Sequence, residues 1–76
     1  MAIKHTGLKK AIQRANDEGF IVYRTHYGHM GGIKDHHTKV ELVDLLDDYD
    51  TFQYIATSDI EAQVKYINDT IDSFRG

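Results

Sequence analysis

Four of the five histidines flank a glycine-rich segment in the middle of the chain: His26, His29, His36 and His37. If the chain reverses direction between Met30 and Gly32, as in a hairpin, these imidazoles come close to one another. Imidazole is a common ligand of zinc, nickel and copper. The spacing of His26 and His29 lacks the helical HExxH frame of zinc enzymes. We therefore predict no metal site and keep a histidine-dependent metal-binding protein as an alternative.

Aspartates form a second cluster, made of Asp44, Asp47, Asp48 and Asp50. A hard cation such as calcium would suit these carboxylates, but the central glycine and terminal glutamate of an EF-hand loop are missing. Carboxylates also engage the lysine and arginine side chains that otherwise bind phosphates, so a negative surface can occupy a basic groove on another protein. We predict that a protein partner is bound by Asp47, Asp48, Tyr49, Asp50, Asp59 and Glu61, with Tyr49 as an aromatic anchor.

Charge is divided unevenly along the chain. Residues 1–34 contain six basic and two acidic residues, whereas residues 35–76 contain three basic and ten acidic residues. Because lysine and arginine make the phosphate contacts of nucleic-acid-binding proteins, the basic half provides an alternative binding surface. Its candidate residues are Lys9, Lys10, Arg14 and Arg24. Arg14 is also placed to pair with Glu18 one helical turn later. A sheet face that contacts nucleic acid would use Arg24, Lys34, Lys39 and Tyr23 or Tyr27.

The sequence contains no recognisable catalytic motif. There is no cysteine, and Ser58 and Ser73 lie at the two ends of a predicted helix without a G-x-S-x-G motif. The glycines within residues 28–32 match no phosphate-binding motif. We predict a non-enzymatic protein without a cofactor.

Length and composition predict one domain spanning residues 1–76. With 41% hydrophobic and 28% charged residues, the composition is typical of a folded globular chain. No apolar run approaches the roughly 18 residues of a membrane span, and the N-terminus does not resemble a signal peptide. We expect a cytoplasmic protein with no membrane partner.

Amphipathic helices are predicted near both ends of the chain. The first is expected from Thr6, a candidate N-cap, to Glu18, with Gly19 in the left-handed conformation just after it. The second is expected to have Ser58 as its N-cap, with Glu61 completing a capping box. Its apolar stripe consists of Ile60, Val64, Ile67, Ile71 and Phe74.

Three strands are predicted between the helices. Residues 20–27 are β-branched and aromatic, residues 33–46 alternate with Val40 and Leu42 on one face, and residues 52–57 alternate again. Residues 47–50 are expected to form an acidic turn. A helical turn is the alternative for residues 40–46, because short apolar runs are ambiguous.

The resulting order, α-β-β-β-α, predicts an α+β fold with a three-stranded antiparallel sheet and two helices packed on one face. This order resembles that of double-stranded RNA-binding domains over nearly the whole chain. In those domains lysines at the start of the second helix contact phosphates. Here that start reads Ser58-Asp59-Ile60-Glu61-Ala62, so the resemblance implies the fold and not the RNA contact.

We therefore expect a small regulatory or inhibitory protein, of the kind encoded by phages and mobile elements, that binds a protein partner through its acidic surface. The uncovered sheet face or a sheet edge could also pair with a second copy of the chain.

Overall fold

A computed structural model describes residues 3–28 and 36–76 of the chain. The elements are α1 (Ile3–Asp17), β1 (Phe20–Tyr27), β2 (His37–Asp44), β3 (Tyr49–Ala56) and α2 (Ile60–Arg75). The strands form one antiparallel sheet in the order β1-β2-β3. The predicted α+β fold and its α-β-β-β-α order are confirmed.

Both helices pack on the same face of the sheet, α1 against β1 and α2 against β2 and β3. The apolar residues of α1 and the stripe of α2 meet over the inward side chains of the strands. Because each helix has one apolar stripe, the two together cover one sheet face. The buried core consists of Leu8, Ala11, Ala15, Phe20, Val40, Leu42, Ile55, Ile67 and Ile71.

The first helix begins at Ile3, earlier than predicted, so Thr6 lies inside α1 and does not cap it. Nothing in the sequence between Ile3 and Thr6 breaks a helix, which explains the longer element. The predicted role of Gly19 is confirmed, since its φ is +90°. This conformation turns the chain into β1, and the Gly19 carbonyl accepts a hydrogen bond from the Leu45 amide at 3.0 Å.

The second helix begins one residue later than predicted, and its N-cap is Asp59 in place of Ser58. The Asp59 carboxylate accepts a hydrogen bond from the Ala62 amide at 3.0 Å. A turn between Ala56 and Asp59, closed by a 3.0 Å backbone hydrogen bond, delays the helix start. The expected capping box of Ser58 and Glu61 is therefore wrong.

The central strand, β2, pairs with both neighbours throughout its length, which excludes the helical alternative for residues 40–44. It ends at Asp44, because the Asp44 carboxylate accepts hydrogen bonds from the amides of Leu46 at 3.0 Å and Asp47 at 3.4 Å and so bends the chain. The turn occupies residues 45–48, and Asp48 has a φ of +53°. Tyr49 and Asp50 belong to β3, not to the predicted acidic turn. Residues 33–35 of the predicted strand lie outside the described residues.

Candidate partner-binding surface

One face of the sheet has no helix packed on it in the described parts of the chain, and we name it the open face. Since side chains alternate along a strand, the register assigns to it every second residue of 21–27, 37–43 and 50–56. The intervening residues include the buried Phe20, Val40 and Ile55 and point toward the helices.

Aromatic side chains dominate the open face. Tyr23, Tyr27, Phe52 and Tyr54 are 51%, 45%, 51% and 54% exposed. Tyr54 lies in edge contact with both Tyr27 and Phe52, with ring centroids 5.7 Å apart in each case. Half-exposed rings that touch one another form a continuous apolar patch, and such patches mark interaction surfaces.

Charged groups on the open face are mixed in sign. Lys39 and Glu41 lie on the central strand, with the Lys39 ammonium 4.5 Å from the centre of the Phe52 ring. Asp50 lies at the start of β3, where it pairs with Val43. The described part of the face therefore lacks the cluster of basic residues that a phosphate backbone requires.

The open face ends at a group of residues that we name the acidic end: Asp47, Asp48, Tyr49 and Asp50. Asp48, Tyr49 and Asp50 line a depression of about 300 Å³ together with Val43. Tyr49 is 58% exposed, and its ring packs against Phe74 with centroids 5.4 Å apart. The structure thus brings four of the six predicted partner-binding residues together, next to an apolar surface.

The other two predicted residues, Asp59 and Glu61, lie at the opposite end of the sheet. They follow β3, whose eight residues separate the two groups by roughly 25 Å at about 3.3 Å per residue. The carboxylate of Asp59 is also engaged as the cap of α2. The six residues therefore do not form one compact patch.

Asp44 belongs to the interior and not to the acidic surface, since its side chain is completely buried. Its two oxygens accept hydrogen bonds from Arg75, at 2.6 Å from Nη2 and 2.9 Å from Nη1. These bonds are the main cause that lowers the pKa of Asp44 from 3.8 to about 2, against the opposing effect of burial. Arg75 also donates two hydrogen bonds to the Glu18 carbonyl and stacks over Phe20. The pair is a structural clamp that joins the end of α2 to the ends of α1 and β2.

The acidic end lies beside this clamp. A carboxylate oxygen of Asp47 is 3.7 Å from Nη1 of Arg75, and the Asp47 side chain is 68% exposed. Because Asp44 already accepts the shorter hydrogen bonds of the guanidinium, Asp47 interacts with it at longer range and stays accessible.

The basic residues of the nucleic-acid alternative do not converge. Lys9 and Lys10 are exposed on α1. Arg14 bonds across to α2, at 2.9 Å from Asn68 and 2.5 Å from Asp72, so the expected pairing with Glu18 is wrong.

Arg24 points toward the helices and donates a hydrogen bond to the Gln63 amide oxygen at 3.1 Å. Arg24 is therefore absent from the open face, whereas Tyr23, Tyr27 and Lys39 lie on it; Lys34 is outside the described residues.

The described histidines are divided between the two faces of the sheet. His26 lies on the helix-covered side, where its Nδ1 is 2.9 Å from the Thr38 hydroxyl. His37 pairs with Tyr27 and lies on the open face, and His36 precedes β2. Among residues 3–28 and 36–76, no three histidine, cysteine or acidic side chains are grouped to hold a metal ion. His29 lies outside the described residues.

The fold and the surface define a small α+β protein with a sheet whose face carries exposed aromatic residues. None of the helices in the described segments is both long and apolar enough to cross a membrane. Comparisons with protein-family models, curated proteins and solved structures found no match.

From the sequence, the residues of the acidic end were grouped with Asp59 and Glu61, and Tyr23 and Tyr27 were expected only as contacts in the nucleic-acid alternative. The aromatic surface as a whole was not predicted. The signal was present, because Tyr23 and Tyr27 alternate with residues in phase with Phe20, while Phe52 and Tyr54 alternate with Ile55. Once the apolar residues Phe20 and Ile55 are assigned to the core, the tyrosines and Phe52 must face outward.

Proposed function

We propose that this protein is a non-enzymatic binding protein that engages a protein partner through the open face and the adjoining acidic end. The observation that carries this proposal is the set of four half-exposed aromatic side chains on one sheet face, of which Tyr27 and Phe52 both contact Tyr54. Tyrosine and phenylalanine are enriched in protein interfaces, and tyrosine is one of the residues enriched among the few that dominate the binding energy.

The charges around these rings favour a partner that carries basic residues. Asp48 and Asp50 flank the depression at the acidic end, while Tyr49 and Val43 offer it apolar walls. A lysine or arginine side chain fits this combination, since its aliphatic part packs against apolar groups and its cationic end meets carboxylates. A phosphate backbone would instead face Glu41 and Asp50 across the same surface.

A regulatory or inhibitory role is part of the proposal. Binding over such a surface blocks whatever else contacts the same site on the partner, which is how a protein without chemistry of its own can control another. Action in the cytoplasm belongs to the same proposal.

The contribution of one aromatic side chain to the binding free energy can be worked out from its exposed area. A phenylalanine buries about 200 Å² when fully covered, and Phe52 is 51% exposed. Covering the remaining area of about 100 Å² contributes about 2.5 kcal/mol at 25 cal/mol per Å². Phe52→Thr, which keeps a β-branched residue in the strand, should therefore weaken partner binding by about 10-fold to 60-fold.

The experiment is affinity capture from a lysate of the source cells, with and without nuclease, followed by titration of the captured partner. We expect Phe52→Thr to weaken binding, and Asp48→Lys with Asp50→Lys to weaken it and remove most of its salt dependence. The matched control reverses two exposed charges on α1, in Lys9→Glu with Lys10→Glu, and should bind like the wild type. If the α1 variant alone loses binding and nuclease abolishes capture, the nucleic-acid alternative replaces this proposal.

A further inference from the structure

The outer edge of β3 is a second surface with unsatisfied binding capacity. Among the described residues, β3 is paired on one side alone, with β2. In an antiparallel ladder, alternate residues direct their N–H and C=O groups to opposite sides of the strand. About half of the eight residues of β3 therefore present backbone donors and acceptors outward.

Within residues 3–28 and 36–76, this edge carries none of the features that usually prevent strands from pairing. Natural edge strands are protected by lysine, proline, bulges or a covering element. The sequence of β3 contains neither lysine nor proline, and its pairing with β2 runs over eight consecutive residue pairs without a bulge. The opposite edge differs, since β1 contains a basic residue, Arg24.

A groove runs beside this edge on the helix side of the sheet. Its volume is about 290 Å³. Across its α2 wall, the Lys65 ammonium bonds the Asp69 carboxylate at 2.7 Å, and both side chains are mostly exposed. The residues that line the groove are Gln53, Ile55, Ala62, Lys65, Tyr66 and Asp69.

We propose that β3 pairs antiparallel with β3 of a second copy of this chain, joining the two sheets into one six-stranded sheet. A two-fold axis near Gln53 sets the two α2 helices side by side and antiparallel, because α2 follows the line of β3 from Gln63 near Ala56 to Phe74 near Tyr49.

The charges that line the groove favour a second copy as the occupant, because Lys65 and Asp69 of one copy complement Asp69 and Lys65 of the other. Under the two-fold axis, Lys65 of each copy faces the region of Asp69 of the other, so each ion pair is extended into a four-charge network. On the open face the same axis sets Phe52 of one copy opposite Tyr54 of the other, and aromatic cross-strand pairs stabilise a sheet. The joined sheets then present two open faces side by side.

The expected dimer is weak. The strand edge is about 26 Å long at 3.3 Å per residue, and the smallest extent of the protein is 15 Å. The contact therefore covers about 400 Å² per copy, or about 800 Å² in total, which is below the size of most stable complexes. We expect a dissociation constant of about 10 μM to 1 mM.

Sedimentation velocity over about 10 μM to 1 mM at low salt tests the pairing. The wild type should shift from monomer to dimer across this range, and Gln53→Lys should weaken the dimer by at least about 10-fold because it places a charge on the edge. Thr25→Lys is the matched control on β1 and should leave the dimer unchanged. Thermal melting of each variant establishes that it is folded.

A charge-swap experiment tests the arrangement. Lys65→Glu and Asp69→Lys should each weaken the dimer, because each gives like charges across the axis, and an equimolar mixture of the two should restore association. A wild type that is monomeric at the highest concentration overturns the proposal, as does a mixture of the two variants that fails to associate. A dimer lost in Tyr23→Ser and retained in Gln53→Lys also overturns it, since the contact would then lie on the open face.

Discussion

Two valines on the central strand allow the same substitution to be compared on the two faces of the sheet. Val40 is completely buried and points toward the helices, whereas Val43 is partly exposed and lies on the open face. Both residues are paired with β1 and with β3, so the backbone environment is matched. Comparing Val40→Ala with Val43→Ala therefore measures how much packing against the helices contributes to the free energy of unfolding.

The expected magnitudes follow from burial. Alanine removes two methyl groups, each contributing about 0.8 kcal/mol when fully buried. For Val40→Ala, the transfer energy and the residual cavity together give a loss of about 2 to 3 kcal/mol. For Val43→Ala, the site is partly solvated and can relax, so we expect a loss below about 1 kcal/mol. A domain of this size has about 4 to 11 kcal/mol of total stability, so both variants should fold.

Urea unfolding, at concentrations where the protein is monomeric, measures the difference as a shift in midpoint at constant slope. A thermal melt should show Val40→Ala lower than Val43→Ala by about 4 to 24 °C, since the two losses differ by about 1 to 3 kcal/mol. Equal losses for the two variants, or a larger loss for Val43→Ala, would show that the open face is covered in the folded chain. The proposal that this face binds a partner would then be untenable.

Three further predictions concern the clamp, the cap and the first turn. The pKa of Asp44 is about 2 in the folded protein, against an ordinary value of 3.8. The contribution of its carboxylate to stability is therefore present above about pH 4 and is lost as the pH falls toward 2. Asp44→Asn should lower the stability at neutral pH and flatten its dependence on acid pH, which urea midpoints between pH 2 and pH 7 will measure. Asp59→Ala should cost about 1 kcal/mol and Ser58→Ala close to none, and thermal melts that rank them in the reverse order would contradict the assignment of the cap. Gly19→Ala should destabilise by about 1 kcal/mol or more, because φ is +90° and the added Cβ would lie 3.1 Å from Leu46; an unchanged melting temperature would contradict this.

The fold could be predicted because its periodicities are long and consistent. The stripe from Ile60 to Phe74 exceeds the length at which helix and strand patterns are confused, whereas the shorter run around Val40 left a helical turn open until the strand pairing excluded it. Element boundaries were less accurate, since they depend on local competition: Asp59 and Ser58 are both good caps, and the turn at Ala56 decides between them.

The site was predicted less well because it depends on contacts between distant parts of the chain. Asp44 is in phase with Val40 and Leu42, so its inward direction could have been inferred, but its partner Arg75 lies 31 residues later. The two groups of acids could not be related without the direction of β3, which places Asp59 and Asp48 at opposite ends of the sheet.

Strand formation alone does not account for the aromatic residues of the open face. Phenylalanine and tyrosine favour strands, but threonine and valine do so at similar strength and with much less apolar surface. Four half-exposed rings therefore leave about 400 Å² of apolar area in water that the fold does not require, at about 100 Å² for each ring. Two helices with one apolar stripe each can cover only one face of the sheet. Packing of another molecule on the open face would bury this aromatic area and so be favourable. This excess of exposed aromatic area favours a binding role more strongly than the acidic charge does.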